Sequence, residues 1–224
     1  MKYKTLLFDA DMTLLDFEAA EYDGLIETMR SFGLEIDDET VGIYSACNDA
    51  QWKLFEQGGC TKAELVVNRF KVFFEKMGYP FDPAEANSRY VKNLANGHKL
   101  MPNALEVCQT LSKTHKLYII TNGVATTQAK RFAECGLEPY FEKCFVSEAI
   151  GIPKPHKEFF DYVAQNIEGF DKSEALVIGD SLTSDMQGGI TAGIDTCWFN
   201  PKGEKTTLPV TYEIASLTEL YNIV

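Results

Sequence analysis

Short apolar segments that are rich in β-branched and aromatic residues recur along the chain, separated by segments of helical length. The apolar segments cover residues 5–8, 116–121, 144–147, 175–179 and 196–199. Their apolar residues are continuous rather than alternating, as in strands that are buried on both faces of a parallel sheet. Helical segments lie at 103–114, 126–135, 157–166 and 182–192. Strands that alternate with helices predict an α/β fold with a mainly parallel sheet.

The part of the chain from about Glu18 to His98 departs from this rhythm, because it contains helical patterns and no convincing strand. In "AELVVNRFKVFFEKMG", apolar residues at 65, 66, 70, 73 and 74 recur at helical spacing. Glycine-containing turns separate the helical patterns, at 33, 58–59, 78–80 and 96–97. We therefore predict an inserted α-helical domain at residues 17–98 and a sheet domain made of residues 1–16 and 99–224.

Polar residues follow four of the predicted strands at their carboxyl ends. They are Asp9 and Asp11, Thr121 and Asn122, Lys154 in the sequence "GIPKP", and Asp180 with Asp185. Taken singly, each of these motifs is also typical of a turn or a helix cap. In an open parallel sheet, however, ligands bind beyond the carboxyl ends of the strands. The shared location favours one functional site over several unrelated turns.

The residue types at these strand ends suit phosphoryl chemistry. Several carboxylates that converge need a hard cation, and oxygen ligands favour Mg²⁺, which also bridges to phosphate oxygens. A lysine and a threonine hydroxyl can hold the remaining phosphoryl oxygens. Phosphoryl transfer needs positioning, neutralisation of charge and one nucleophile, and the set contains all three.

Composition and charge limit the classes of substrate and the cellular locations that are compatible with the sequence. The chain of 224 residues carries a formal net charge of −12, which argues against a nucleic-acid polymer as partner. A small phosphorylated metabolite remains compatible if a local cation offsets the repulsion. No segment is apolar enough for a transmembrane helix and no signal peptide is recognisable, so we predict a cytoplasmic protein that does not bind membranes. The sequence carries no signal for an oligomeric state.

Cysteines and histidines form no metal-binding motif. The six cysteines include no C-x-x-C pair, and the three histidines are isolated from one another. In a protein without an export signal, such cysteines are expected to be reduced and structural. We therefore predict neither disulfides nor a zinc site.

The motifs "FDADMT", "IITNG", "GIPKP" and "VIGDSLTSD", in this order, resemble those of the haloacid dehalogenase superfamily of phosphohydrolases. The resemblance implies a Rossmann-like core and an α-helical cap domain that closes over the site and selects the substrate. It implies that Asp9 is the nucleophile that forms an aspartyl-phosphate, and that Asp11 is the acid and base. Thr121, with the adjacent Asn122, would bind the phosphoryl group, and Lys154 would neutralise charge.

The same resemblance implies a Mg²⁺ site. Its ligands would be a carboxylate oxygen of Asp9, the backbone carbonyl of Asp11 and the side chain of Asp180. Asp185 would act indirectly by ordering metal-bound water or Lys154. Dehalogenases of this superfamily lack the second aspartate, so Asp11 favours phosphoester chemistry.

A narrower resemblance concerns the substrate. "FDADMTLLDF" and "GDSLTSDMQGGITAGIDTCWFNP" resemble the bacterial pyrimidine 5′-nucleotidases that act on canonical and noncanonical nucleoside monophosphates, although Met12 stands where that group often has an aspartate. The resemblance implies UMP-, dUMP- or dTMP-like substrates. The alternatives with the same chemistry are a phosphatase for sugar phosphates or phosphoglycolate, and a phosphotransferase like β-phosphoglucomutase.

Substrate choice is assigned to the helical region, where the signals are weak. The turn "EQGGCTK" at 56–62 contains Gly58 and Gly59, which permit close approach of a loop. Lys62 and Arg69 are candidates for contact with a ribose or a second charge, and equally for solvated surface residues. The candidates for stacking on a base are Phe17, Tyr22, Trp52 and Phe55. At helical spacing, aromatic residues more often belong to a core.

Two other classes of protein are compatible with parts of the pattern. A signalling receiver domain also uses aspartates, a threonine or serine, a lysine and Mg²⁺, but its acceptor aspartate normally follows a later strand and its lysine comes last. A catalytically silent binding module would not need all of the polar residues at the strand ends, whereas this chain has the complete set. We therefore favour an enzyme.

Overall fold

The computed structural model describes residues 2–224 and divides the chain into two compact units. The sheet unit consists of Met1–Asp16 and His98–Val224, and the helical unit consists of Phe17–Gly97. The predicted insertion of residues 17–98 thus ends one residue later than the helical unit of the structure.

The sheet unit is built on six parallel strands in the order β3-β2-β1-β4-β5-β6. They are β1 (Thr5–Phe8), β2 (Lys116–Thr121), β3 (Lys143–Val146), β4 (Ala175–Gly179), β5 (Asp195–Phe199) and β6 (Tyr212–Ile214). This confirms the predicted Rossmann-like, mainly parallel sheet. The short edge strand β6 was not predicted, because its three residues form no apolar run.

Helices flank the sheet and bury both of its faces. They are α5 (Ala104–Leu111), α6 (Ala125–Cys135), α7 (Ser147–Ile150), α8 (Lys157–Gln165) and α9 (Gln187–Ala192), with 3₁₀ turns at Glu138–Tyr140, Lys172–Glu174 and Leu217–Asn222. Along β1, Leu6 and Phe8 belong to one apolar core and Leu7 belongs to a second. This alternation follows from the two-residue period of a strand, and it explains the continuous apolar sequence.

The segment 182–192 was predicted to be one helix, and the structure corrects this. A π-helical turn, Leu182–Met186, precedes α9, and the N–H of Met186 donates to the carbonyl of Ser181, five residues earlier, at 3.1 Å. The side chain of Ser181 caps the turn by accepting from the N–H of Ser184 at 3.2 Å. Single π turns inside helices occur frequently at functional sites.

The two segments that connect the sheet unit to the insertion are hydrogen-bonded to each other. The N–H of Asp16 donates to the carbonyl of Lys99 at 2.9 Å, and the N–H of Met101 donates to the carbonyl of Leu14 at 2.9 Å. The side chains of Lys99 and Asp16 also form an ion pair at 2.8 Å. The chain therefore leaves and re-enters the sheet unit along adjacent, hydrogen-bonded segments.

The helical unit contains α1 (Phe17–Arg30), α2 (Asp38–Glu56), α3 (Lys62–Met77) and α4 (Pro83–Leu94). Local sequence explains their ends: Asp37 and Asp82 cap α2 and α4, and Thr61 with Glu64 forms a capping box on α3. Gly78, with φ of 69°, ends α3 in the left-handed conformation.

The core of the helical unit is strongly aromatic. Tyr44, Phe70, Phe73 and Tyr90 are fully buried, and their ring centroids lie 5.0 to 5.5 Å apart in the contacting pairs. Such tilted and edge-to-face contacts add to the stabilisation from burial. Among residues 2–224, no helix combines the length and the apolar character needed to cross a membrane.

Candidate active site

The carboxyl ends of adjacent strands bring the predicted site residues of the sheet unit together. β1 lies between β2 and β4, so Asp9 after β1 is flanked by Thr121 at the end of β2 and Asp180 after β4. The N–H of Asp9 extends the pairing with β4 by donating to the carbonyl of Ile178 at 2.8 Å. The backbone at Asp9 is therefore held by the sheet.

Lys154 is a buried cation at the centre of this site. Its side chain is 1% exposed, and its Nζ donates to Asp9 Oδ1 at 2.6 Å, to Asp185 Oδ1 at 2.6 Å and to the carbonyl of Ile120 at 2.9 Å. All three protons of the ammonium thus have acceptors. Of the two tasks predicted for Asp185, contact with Lys154 is the one present in these hydrogen bonds.

Asn122 clamps the main chain of Lys154. Its Nδ2 donates to the carbonyl of Lys154 at 2.9 Å, and its Oδ1 accepts from the N–H of Lys154 at 3.0 Å. The Lys154–Pro155 peptide bond is cis. These contacts support a positioning role for Asn122, and direct binding of phosphate by this residue stays a prediction.

Three aspartates form a compact acidic cluster. Asp9, Asp180 and Asp185 each offer a carboxylate oxygen, and these oxygens lie within 4.8 Å of one another. Asp180 Oδ1 accepts from the Thr13 hydroxyl at 3.3 Å, and Asp185 Oδ2 accepts from the N–H of Ser181 at 3.2 Å. The side chain of Asp11 is not a member of this cluster, and the use of its backbone carbonyl as a metal ligand stays a prediction.

The cluster is electrostatically strained. Burial, and then repulsion by Asp185, raise the pKa of Asp9 well above its ordinary value, although Lys154 acts in the opposite direction. The same two causes raise the pKa of Asp180 from 3.8 to about 8. Burial disfavours the charged form of Lys154, but attraction by Asp185 and Asp9 outweighs it and raises the pKa of the ammonium. When all three carboxyl groups are ionised, one lysine therefore leaves a surplus of negative charge.

This surplus fits a divalent cation. The converging donors are all carboxylate oxygens, which suit Mg²⁺ rather than zinc or copper. Removing the repulsion between the carboxylates would favour their ionised forms. The residues present are therefore chemically suited to hold Mg²⁺.

Asp11 contacts helix α6 rather than the acidic cluster. Its Oδ1 accepts from the guanidinium of Arg131, and its Oδ2 accepts from Gln128 Nε2 at 2.7 Å. The same Nε2 donates to Thr121 Oγ1 at 3.0 Å. Neither Gln128 nor Arg131 was identified from the sequence. Their only signal there is a pair of polar residues three apart on the helix that follows "IITNG", and such spacing is common on surface helices.

The Thr121 hydroxyl is prepared to donate a hydrogen bond. Its oxygen accepts from the N–H of Gly123 at 3.0 Å as well as from Gln128. A hydroxyl has two lone pairs and one proton, so these bonds leave the proton for another acceptor. A phosphoryl oxygen would be such an acceptor.

The residues assigned to substrate choice lie in the helical unit, in α1, in α3 and in the turn between α2 and α3. Gly58 and Gly59 form an exposed turn, and Lys62 Nζ lies 5.8 Å from the centre of the Trp52 ring. Phe17 packs against the aromatic core. Their contact with a substrate stays a prediction.

Arg69 is integrated into the helical unit. It is 2% exposed, and its guanidinium donates to Asn48 Oδ1 at 3.2 Å, Asn87 Oδ1 at 2.7 Å and the carbonyl of Val66 at 3.2 Å. These contacts support a structural role, and recognition of substrate by Arg69 also stays a prediction.

Residues 3–193 match the family model of haloacid dehalogenase-like hydrolases. The chain belongs to this family. The resemblance drawn from the four motifs is thereby confirmed, and the protein is an enzyme of the haloacid dehalogenase-like hydrolases.

Individual relatives in this family cover almost the whole chain. The pyrimidine 5′-nucleotidase PynA of Streptococcus pneumoniae is 40% identical over 98% of this chain and 94% of its own length. The pyrimidine 5′-nucleotidase YjjG of Escherichia coli is 31% identical over 98% of this chain and 97% of its own length. A crystal structure of the HAD-hydrolase YfnB from Bacillus subtilis superposes on this chain with a TM-score of 0.96 and covers 100% of this chain and 99% of YfnB. The two sequences are 41% identical. That structure is described as bound to magnesium and as revealing interdomain movement.

Proposed function

We propose that this enzyme is a Mg²⁺-dependent phosphatase that hydrolyses pyrimidine nucleoside 5′-monophosphates through an aspartyl-phosphate on Asp9. The observation that carries the chemistry is the buried contact of Asp9 with Lys154 beside two further aspartates. A buried carboxylate held by a lysine, next to a threonine hydroxyl that has a proton to donate, suits attack on a phosphoryl group better than it suits a structural ion pair.

In the first half of the reaction, a carboxylate oxygen of Asp9 attacks phosphorus while the bond from phosphorus to the nucleoside oxygen breaks. The carboxyl group of Asp11 gives its proton to that departing oxygen. Lys154 offsets the charge of the nucleophile and of the phosphoryl oxygens, and the Thr121 hydroxyl donates to one of these oxygens.

In the second half, Asp11 is a carboxylate and removes a proton from water. The water oxygen attacks phosphorus, the bond between phosphorus and Asp9 breaks, and inorganic phosphate leaves. Asp9 is then ionised again and Asp11 again carries a proton. Both aspartates are thus restored to their starting forms, and one water is consumed for each ester cleaved.

The Asp9 and Asp180 carboxylates and the Asp11 carbonyl would hold Mg²⁺, with Asp185 acting through Lys154. When bound, the ion supplies charge neutralisation and orientation for the phosphoryl group. The magnesium named for the YfnB crystal structure supports this assignment, since that protein is 41% identical to this chain. The acidic cluster supports it independently.

The substrate class rests on similarity. PynA and YjjG are both named pyrimidine 5′-nucleotidases and align with nearly the whole chain. We assign the helical unit, residues 17–97, to the choice of substrate and the sheet unit to the chemistry. A small phosphorylated metabolite is also the partner that the charge of −12 permits.

The test is release of inorganic phosphate from a panel of nucleoside monophosphates, sugar phosphates and phosphoglycolate, with Mg²⁺ or with EDTA. We expect dTMP, dUMP or UMP to lead the panel, EDTA to abolish release, and Asp9→Asn protein to be inactive. If a sugar phosphate leads, the pyrimidine assignment is wrong. Release that persists in Asp9→Asn protein would contradict the nucleophile, and transfer of label to a sugar without phosphate release would identify a phosphotransferase.

Binding of Mg²⁺ can also be tested by thermal unfolding, without measuring enzyme activity. Mg²⁺ should raise the thermal unfolding midpoint of the wild-type protein, because it binds the folded state and relieves the repulsion within the acidic cluster. Asp180→Asn protein should lose most of that increase. An equal increase in both proteins would show that Mg²⁺ binds elsewhere.

A further inference from the structure

Both oxygens of the Asp11 carboxyl group are held by one face of helix α6. Arg131 contacts Oδ1 and Gln128 contacts Oδ2, and these two residues are three positions apart, so they lie on the same side of the helix. Both are 1% exposed, whereas the side chain of Asp11 is 27% exposed. A partly accessible carboxyl group is thus anchored by two buried side chains.

The orientation of the Gln128 amide is set by its other contacts. Its Oε1 accepts from Arg131 Nη1 at 3.2 Å, so its Nε2 is directed at Asp11 and Thr121. Gly123 permits this arrangement, because a Cβ atom at that position would lie 2.5 Å from Nε2 of Gln128. The absence of a side chain at Gly123 therefore allows the glutamine to reach both partners.

Burial of an arginine and a glutamine for stability alone is a weak explanation for this network. Desolvating a charged pair costs about as much free energy as the pair returns, and apolar replacements of such pairs are often neutral. A defined position for a reacting group is a different benefit, since small displacements of a catalytic group reduce rates strongly. Gln128 also ties the position of Asp11 to the hydroxyl of Thr121.

We propose that Gln128 and Arg131 are positioning residues that hold the Asp11 carboxyl group in register with Thr121, so that Asp11 meets the leaving oxygen of a phosphoryl group bound at Thr121. This inference rests on the proposed function, in which Asp11 gives its proton to that oxygen. It assigns to α6 a task that neither the four motifs nor the family assignment contains.

Substrates with different leaving groups can show whether the position of Asp11 matters for proton donation. A nucleoside oxygen must receive a proton as its bond to phosphorus breaks, whereas p-nitrophenolate is stable as an anion and leaves without one. The ratio kcat/KM reports the steps up to the first irreversible one, which includes departure of the leaving group. A misplaced Asp11 should therefore lower kcat/KM for the nucleotide much more than kcat/KM for p-nitrophenyl phosphate.

The variants are Gln128→Met, Arg131→Met and Arg131→Lys, each measured on dTMP and p-nitrophenyl phosphate. The control is Lys130→Met, which removes a positive charge from the adjacent, exposed position of the same helix. For both methionine variants of the buried residues we expect the dTMP value to fall at least about tenfold more than the p-nitrophenyl phosphate value, because general acid catalysis contributes ~10²–10⁴-fold. Arg131→Lys should recover part of the loss, and Lys130→Met should leave both values unchanged.

Equal losses on both substrates would overturn the proposal, since they would indicate a structural or binding effect, and so would the absence of any loss. Gln128→Met is nearly isosteric and decides the question if Arg131→Met does not fold. Asp11→Asn supplies a further check: adding Gln128→Met to it should not change the ratio between the substrates, and an additional change would refute action through Asp11. Wild-type protein that hydrolyses neither substrate would instead contradict the proposed function.

Discussion

Glu21 in helix α1 is a buried carboxyl group whose ionisation should reduce the stability of the protein. It is 5% exposed, its Oε2 accepts from the Ser45 hydroxyl, and its Oε1 accepts from Asn48 Nδ2 at 2.8 Å. Burial is the main reason that the pKa of Glu21 rises from 4.5 to about 7, and Asp49 adds repulsion. The hydrogen bonds and the charge of Arg69 only partly oppose the increase.

The sign and size of the effect follow from these two pKa values. The folded protein binds the proton of Glu21 more tightly than the unfolded chain does, so the contribution to stability is complete below pH 4.5 and is lost as the pH rises to about 7. Each unit of pKa corresponds to ~1.4 kcal/mol. Ionised Glu21 should therefore lower the free energy of unfolding by about 3 kcal/mol above pH 7.

The test is Glu21→Gln, because glutamine keeps the shape, can satisfy Ser45 and Asn48, and cannot ionise. Urea unfolding in EDTA, followed by circular dichroism from pH 4.5 to 8, gives the free energy of unfolding of variant and wild type. Their difference should shift in favour of the variant by about 3 kcal/mol across this range. Glu27→Gln, at an exposed position of the same helix, should change the free energy by less than ~1 kcal/mol. A difference between Glu21→Gln and wild type that does not vary with pH would refute the reasoning.

Two further predictions concern the buried ion pairs of the sheet unit. Lys154→Met should abolish phosphatase activity. It should also lower the free energy of unfolding, measured in urea at pH 7, by about 3 to 5 kcal/mol, because Asp9 and Asp185 would be left buried without their cation. An unfolding free energy equal to that of the wild type would contradict this prediction. Gly179→Ala should lower kcat/KM at least about tenfold, because its Cβ would lie 2.5 Å from Asp185 Cγ. The control Gly42→Ala, with no atom near its added Cβ, should keep full activity, and full activity in Gly179→Ala would show that Asp185 moves without consequence.

Local patterns in the sequence were sufficient for most of the fold. Strands buried on both faces need continuous apolar residues, so β1, β2 and β4 are found within the predicted bounds. The edge strand β6 was missed because it forms through pairing with β5 and has little apolar sequence of its own. The π turn at Leu182–Met186 was missed because its residues also suit an ordinary helix.

The same distinction applies to the candidate site. The proximity of Asp9, Lys154 and Asp180 could be predicted from sequence, because each follows a strand and the strands of a parallel sheet end at one edge. The contacts of Asp11 with Gln128 and Arg131 span more than 100 positions, so no local pattern contains them. For Arg69 the structure adds buried contacts with Asn48 and Asn87 that the sequence did not predict, and substrate binding by this arginine stays a prediction.

The sequence alone determined the α/β class, the helical insertion, the family and the strand ends at which the candidate site residues lie. These properties depend on short-range periodicity and on motifs whose residues are close in the chain. Only the tertiary structure decided which partners hold each candidate site residue: Lys154 lies between Asp9 and Asp185, Asn122 contacts the main chain of Lys154, and α6 contacts Asp11. Those contacts form when distant segments pack together, and the free energy of burying and pairing charged groups depends on that packing rather than on any local stretch of sequence.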